Sequence, residues 1–222
     1  MNTLSTGLSQ DPSRLTFFHS PNSRATGVLT LLKELGTEPG VDYDLRVLDQ
    51  RKGEQREPAY LAINPMGKVP ALLHHGALVT EQVAVYQYLA ELFPTHGLAP
   101  AVGDALRGPF LRWLAFYGSC FEPAVTDRSL KREPAAQGMS PYGTFEQMWS
   151  AVTAQLATGP FLLSERFTAA DVLWGSALGW MSMFKLLPDD AGVQAYIARM
   201  QARPAVAWAR ARDAELTTVP AA

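Results

Sequence analysis

A single cysteine, Cys120, stands among 222 residues. One thiol excludes an internal disulfide framework, a CxxC redox pair and a cysteine-built zinc cluster, and it fits a reducing compartment. Charge is also sparse. Only 18% of the residues are charged and the net charge is −2. With no basic block, nucleic acid is not the natural partner. No apolar run reaches the ~20 residues that a spanning helix needs, so no membrane partner is expected. Met1 to Pro12 is polar and lacks the basic-then-apolar layout of a secretory signal. The expected location is the cytoplasm. His74-His75 reads as an exposed turn pair without a partner at metal-ligand spacing, and no metal is expected.

What is present is apolar. Hydrophobic residues make up 47% of the chain, enough for a real core. A chain of this length fits one or two domains. The most informative stretch is Asn64 to Gln82. Asn64-Pro65 and Met66-Gly67 punctuate a loop. Val69-Pro70 then leads into a short apolar strand, Ala71 to Leu73. Proline lacks the N–H a ladder needs, so it belongs at the strand's first position. A tight turn of this kind is where a cis peptide is expected, leaving the backbone near Val69 free for a ligand. A second strand follows His75-Gly76. Glu81-Gln82 then opens a helix with Val85, Leu89 and Leu92 on one face, ending at Pro94. A helix start offers free N–H groups and positive partial charge, which suits a carboxylate ligand.

Residues 1–13 read as a frayed arm. Leu15 to His19 is a strand, and Ser20-Pro21-Asn22-Ser23 is a turn rich in helix caps. Val28, Leu31, Leu32 and Leu35 recur at helical spacing, and Gly36 closes that helix. Tyr43 to Val47 is a second strand and Pro58 to Ile63 a short helical turn. Residues 14–93 therefore give the order βαβ-α-ββα, an α/β domain. The stretch 94–104, with its prolines and glycines, reads as a linker.

From 105 to 222 no strand pattern appears, and the second domain is expected to be all helical. Leu106, Phe110, Trp113, Leu114, Tyr117 and Phe121 share one face of a long helix, with Trp113 in the core. Phe145 to Leu156 is another helix. Thr168-Ala169-Ala170-Asp171 has capping-box spacing, with Asp171 as a cap rather than an acid catalyst. Val172 to Phe184, apolar on nearly all sides, is expected to be the domain's buried centre, with Gly175 and Gly179 admitting neighbouring helices. Helices at 190–201 and 204–215 finish the chain. Cys120 reads as a buried small apolar residue.

Val69-Pro70 before a hairpin, Glu81-Gln82 at a helix start and the Thr-x-x-Asp cap of an all-helical second half together resemble the cytosolic glutathione transferases. The resemblance covers nearly the whole chain. It implies a thioredoxin-like domain followed by a helical bundle, with glutathione as co-substrate and no further cofactor. The implied activity is detoxification: the glutathione thiol is held as a thiolate and conjugated to a small hydrophobic electrophile. Alternatives on the same site are a glutathione-dependent disulfide or peroxide reductase and an isomerase. A non-catalytic binding or scaffold protein would keep the fold alone.

The resemblance also implies roles. The sulfur's donor sits just after the first strand, where no tyrosine or cysteine occurs, which indicates a serine-type, bacterial-looking member. Ser23, Asn22 and Ser20 are the candidates in that order, and each serine equally fits a helix cap. Glu81 would meet the α-ammonium of glutathione and Gln82, where relatives carry serine, its α-carboxylate. Val69, beside Pro70, would pair with the cysteinyl backbone. Lys68, Lys52 or Arg24 would meet the glycyl carboxylate. Phe116, Tyr117, Cys120 and Phe121 would flank the electrophile. A two-fold homodimer is expected, with the 82–93 helix of one subunit near the 105–128 helix of the other. Tyr86 and Tyr88 lie off the face of Val85, Leu89 and Leu92, Phe110 and Trp113 compete with Leu114 for one inward face, and aromatics that a monomer's core leaves over are the type enriched at interfaces.

Overall fold

The computed structural model describes residues 11–133 and 135–218. The expected arm at 1–13 lies outside the described residues except for its last three. The chain forms two compact units, residues 1–89 together with 204–222, and residues 90–203.

The first unit is built on four strands, β1 (Thr16–His19), β2 (Asp44–Val47), β3 (Ala71–His74) and β4 (Ala77–Val79), in the sheet order β2-β1-β3-β4. β1 and β2 run parallel, whereas β3 is antiparallel to both β1 and β4. The parallel pair requires a crossover, supplied by α1 (Ala25–Glu34). Val28, Leu29, Leu31 and Leu32 of that helix are fully buried. Gly36 follows at φ +70°, the left-handed position that closes a helix. After β2, α2 (Pro58–Leu61) begins on a proline, whose missing N–H costs nothing there. Its Tyr60 packs with Phe18, Leu48 and Ala71 into one buried cluster. α3 (Gln82–Leu92) leaves the sheet.

The second unit begins within α3 and continues as α4 (Arg107–Phe116), α5 (Glu122–Ser129), α6 (Phe145–Leu156), α7 (Ala169–Met183) and α8 (Ala191–Gln201). The one long helix expected at 105–128 is interrupted, because Tyr117–Phe121 forms a π turn between α4 and α5. A π turn inserts a residue into the helical register, yet Phe110, Trp113, Tyr117 and Phe121 are all buried. Trp113, Tyr117 and Phe121 pack around Trp174 of α7, whose indole N–H donates to the Trp113 carbonyl at 3.0 Å. Thr168 and Asp171 close the expected capping box on α7. The Asp171 carboxylate also accepts the Leu162 amide at 2.8 Å and the Tyr196 hydroxyl at 3.0 Å. α8 crosses α7 where the side chain is missing. A Cβ on Gly175 would lie 2.4 Å from the Met200 side chain, and one on Gly179 2.7 Å from Gln201.

Four expectations are corrected. The C-terminal end of α7 is not buried, since Trp180, Met183 and Phe184 are exposed. Tyr86, Phe110 and Trp113 are not left over from the core, because each is buried within the chain, and Tyr88 is half-buried. His74 is not in the turn: it is the last residue of β3, buried, with Nδ1 2.7 Å from the Tyr88 hydroxyl, and only His75 is exposed. Cys120 is half-buried rather than buried.

The last helix, α9 (Pro204–Thr218), packs on α1 and belongs to the first unit, although the sequence groups it with the helical half. Ala205, Ala209 and Asp213, four residues apart, form its buried face. Small alanines let the two helix backbones come close, and Lys33 of α1 lies 5.1 Å above the Trp208 ring.

Candidate functional site

Strand register brings four separate segments to one end of the sheet. Phe18 pairs with Ala71, so the turn after β1 and the loop before β3 emerge together. Leu72 pairs with Val79, so the chain leaving β4 toward Glu81 returns to that same end. His19 pairs with Val47, and the parallel β2 therefore delivers residues 48–52 there too. Within the first unit, Ser20, Asn22, Ser23, Arg24, Lys52, Lys68, Val69, Pro70, Glu81 and Gln82 all lie on segments that issue from this end.

The Val69-Pro70 peptide is cis. The loop leading to it is held by the Lys68 carbonyl, which accepts the Tyr60 hydroxyl at 2.6 Å and the Asn64 side-chain amide at 2.9 Å. Burial raises the Tyr60 phenol above its ordinary value, so it remains a donor. Gly67, at φ +57°, passes so close to the Gln55 carbonyl that a Cβ would sit 2.7 Å from its oxygen. With its carbonyl fixed in this way, Lys68 is left with an exposed side chain. Neither Tyr60 nor Asn64 is among the candidate site residues that the sequence points to. The signal for both was local: an aromatic on α2 and an asparagine ahead of a proline.

Glu81 takes φ +63°, and its carbonyl accepts the Val85 amide as α3 begins. Its side chain is exposed at the helix mouth, with Gln82 half-buried behind it. Lys52 is exposed, 3.8 Å from the Asp49 carboxylate. Arg24 is also exposed, immediately before α1.

The turn after β1 distinguishes its three candidates. Ser20 is buried. The Ser23 hydroxyl donates to the Ser20 carbonyl at 2.7 Å and accepts the Ala25 amide at 3.1 Å, which ties it into the turn just ahead of α1. Asn22 is exposed at φ +56°, a left-handed conformation that asparagine tolerates better than most residues. Its amide donates to the Asp213 carboxylate of α9 at 2.8 Å. That carboxylate also takes the Thr26 hydroxyl and His19 Nε2, the latter at 2.8 Å. Burial works against the Asp213 charge, but the hydrogen bonds from His19, Thr26 and Asn22 prevail and hold its pKa below the usual aspartate value. Asp213 was not foreseen as part of this turn.

In the second unit Tyr117 and Phe121 have relative exposures of 2% and 0%. Their rings pack on Trp174, and the Tyr117 hydroxyl donates to Glu122. Phe116 and Cys120 keep exposed surface, and the Cys120 thiol lies 3.5 Å from the Pro141 carbonyl. Among the described residues no group of three or more His, Cys, Asp or Glu side chains is arranged to hold a metal ion. No helix among them is long and apolar enough to cross a membrane.

Comparison with known proteins gives a consistent result over both halves. Residues 13–91 match the family model described as glutathione S-transferase, N-terminal domain, and residues 142–211 match glutathione S-transferase, C-terminal domain. The chain is 31% identical to glutathione S-transferase GstA of Escherichia coli O157:H7 over 172 residues, 76% of this chain and 86% of that protein. It is 28% identical to maleylacetoacetate isomerase maiA of Aspergillus fumigatus, over 72% of this chain and 75% of that one. A sphingomonad glutathione S-transferase solved in complex with glutathione superposes with a TM-score of 0.69 at 28% identity, covering 90% of this chain and 98% of its own.

Proposed function

Because the chain belongs to the glutathione S-transferase family, we propose that it binds glutathione at the end of the first unit's sheet and transfers its sulfur to a small hydrophobic electrophile. The observation that carries this reading is the convergence of the Asn22 turn, the Val69 loop and Glu81 at that end. Glu81 pairs with the α-ammonium by a charge-assisted bond, and the Gln82 amide donates to the α-carboxylate. The Val69 backbone exchanges hydrogen bonds with the cysteinyl residue. Lys68, with Arg24 and Lys52 beside it, meets the glycyl carboxylate.

A free thiol with a pKa of ~8.5 is mostly protonated at neutral pH, so the site must favour the anion. The Asn22 side-chain amide, exposed and next to the start of α1, is the donor to the thiolate. The Ser23 hydroxyl keeps the turn's shape, and its engagement with Ser20 and Ala25 supports this ordering over the one the sequence suggested. The thiolate attacks an electrophilic carbon, a carbon–sulfur bond forms, and the leaving group departs or the addition is completed by a proton from water. Phe116 and Cys120 face the electrophile. The protein works in the cytoplasm as a homodimer.

Retention on immobilised glutathione followed by conjugation of a general aryl halide tests the reading. Retention with turnover is expected. Retention without turnover favours a binding protein, and loss of both removes the glutathione assignment. The similarity to maleylacetoacetate isomerase favours one second reading: the same thiolate adds reversibly to a cis double bond and releases the trans isomer. Turnover of such a substrate with glutathione left unconsumed would identify it.

A further inference from the structure

Asp213 stands 191 residues after Asn22 and is 3% exposed, yet its carboxylate brackets the whole turn that follows β1. One oxygen accepts His19 Nε2, just before the turn. The other accepts the Asn22 amide within the turn and the Thr26 hydroxyl just after it. Among the described residues His19 Nδ1 has no partner, and Asp213 is the group that hydrogen-bonds this buried ring. The carboxylate accepts and cannot donate, which places the shared proton on Nε2. Asn22 is held left-handed at φ +56°, a conformation a non-glycine residue keeps when its surroundings impose it. The imposing group is on α9, at the far end of the chain, and its buried neighbours Ala205 and Ala209 seat that helix against α1.

We propose that Asp213 is a positioning residue for thiol activation: it sets the left-handed Asn22 so that the side-chain amide meets the glutathione sulfur. This rests on the function proposed above. Asp213 touches neither substrate nor sulfur. It acts through the backbone of Asn22, and its effect falls on the sulfur and not on the peptide ends of glutathione. Those ends are held by Glu81, Val69 and Lys68 on other segments. A loss confined to packing would weaken the whole unit without this selectivity.

The experiment compares the wild-type chain with Asp213→Ala and Asp213→Asn. For each, the melting temperature, the glutathione dissociation constant, kcat with an aryl halide, and the thiolate absorbance of bound glutathione against pH are measured. Asp213→Ala is expected to lower kcat roughly tenfold or more, in line with the cost of a misplaced reacting group. Its bound thiol should titrate about one unit higher, a tenfold loss of thiolate at neutral pH, while the dissociation constant changes by less than about threefold. Asp213→Asn keeps an oxygen for the Asn22 amide and should shift the titration less, in the same direction.

A folded Asp213→Ala with the wild-type titration and kcat overturns the proposal and leaves the glutathione assignment standing. If Asp213→Ala does not fold, Asp213→Asn decides in the same way, an unshifted titration overturning it. A wild-type chain that neither binds nor conjugates glutathione overturns both readings together.

Discussion

The Tyr60 hydroxyl donates to the Lys68 carbonyl at 2.6 Å, from the short helix α2 to the residue just before Val69. The bond fixes the loop that leads into Val69, whose backbone is proposed to pair with the cysteinyl residue of glutathione. Tyr60→Phe should therefore cost about 1 kcal/mol of stability, the net worth of a typical hydrogen bond. The Asn64 amide still reaches the same carbonyl, so the fold should survive. Glutathione affinity should drop along with stability, as read by calorimetric titration. A variant with unchanged affinity would show that the loop holds its shape without the phenol.

Glu81 stands exposed at the mouth of α3 with φ +63°. Removing its carboxylate in Glu81→Ala should weaken glutathione binding by ~1.5–3 kcal/mol, the cost of losing a charge-assisted hydrogen bond. Glycine at this left-handed position would relieve backbone strain and so favour folding, but would not restore the bond to the ligand. The dissociation constants of Glu81→Ala and Glu81→Gly should thus both rise. An unchanged constant in both would remove Glu81 from the site.

The two central residues of the first turn should separate cleanly. Ser23→Ala removes two hydrogen bonds of the turn and should lower stability by about 0.5–1.5 kcal/mol for each, leaving the titration of the bound thiol in place. Asn22→Ala should do the reverse, raising the thiol's pKa with a smaller effect on melting. The opposite pattern, with the thiol shifted only in Ser23→Ala, would restore the serine as the sulfur's donor.

Asp213 also predicts an acid response. Its folded-state pKa lies below the ordinary aspartate value. The folded state therefore binds this proton less readily than the unfolded chain, and the carboxylate stabilises the fold at pH values above the ordinary aspartate pKa. That contribution declines as pH falls through the folded-state value. Asp171 has the opposite sign. Burial raises its pKa despite four donated hydrogen bonds, so its contribution is greatest in acid and is lost as pH rises through the raised value. Melting temperature against pH should accordingly lose part of its acid limb in Asp213→Asn and gain slope near the raised pKa only when Asp171 is present.

Assembly is open to a direct measurement. Light scattering at micromolar concentration should report twice the 24.2 kDa of one chain, the two-fold pair being the commonest closed assembly. A mass near that of a single chain would refute the dimer. The earlier support from surplus aromatics is gone, since Tyr86, Phe110 and Trp113 are already buried within one chain.

Much of the fold was legible because its signals are local. Val28, Leu31 and Leu32 repeat at helical spacing, Pro70 marks a strand's first residue, and Thr168 and Asp171 announce a helix start. What escaped has no local signature. Ala205 and Ala209 are too small to register as an apolar stripe, so α9 did not declare α1 as its partner. Asp213, set between Arg212 and Ala214 near Glu215, looks like one more solvated charge. The π turn at Tyr117–Phe121 alters register without altering composition. For the candidate site, the family resemblance picked out the segments, and the strand register shows why they meet. The hydrogen bonds that commit Ser23 to the turn depend on coordinates no spacing rule supplies.

The membership of α9 in the first unit has a consequence for synthesis. A ribosome delivers residues 1–89 long before residue 204, and until then the face of α1 that α9 will cover has no partner from its own unit. Domains usually fold in the order in which they emerge, but here the first to appear is the last to be completed. A nascent chain stalled anywhere in the second unit would hold an unfinished sheet domain in which His19 lacks the Asp213 carboxylate. Such a chain would expose apolar surface to chaperones, and a nonsense change shortly before Asp213 would act on the first-made half of the molecule.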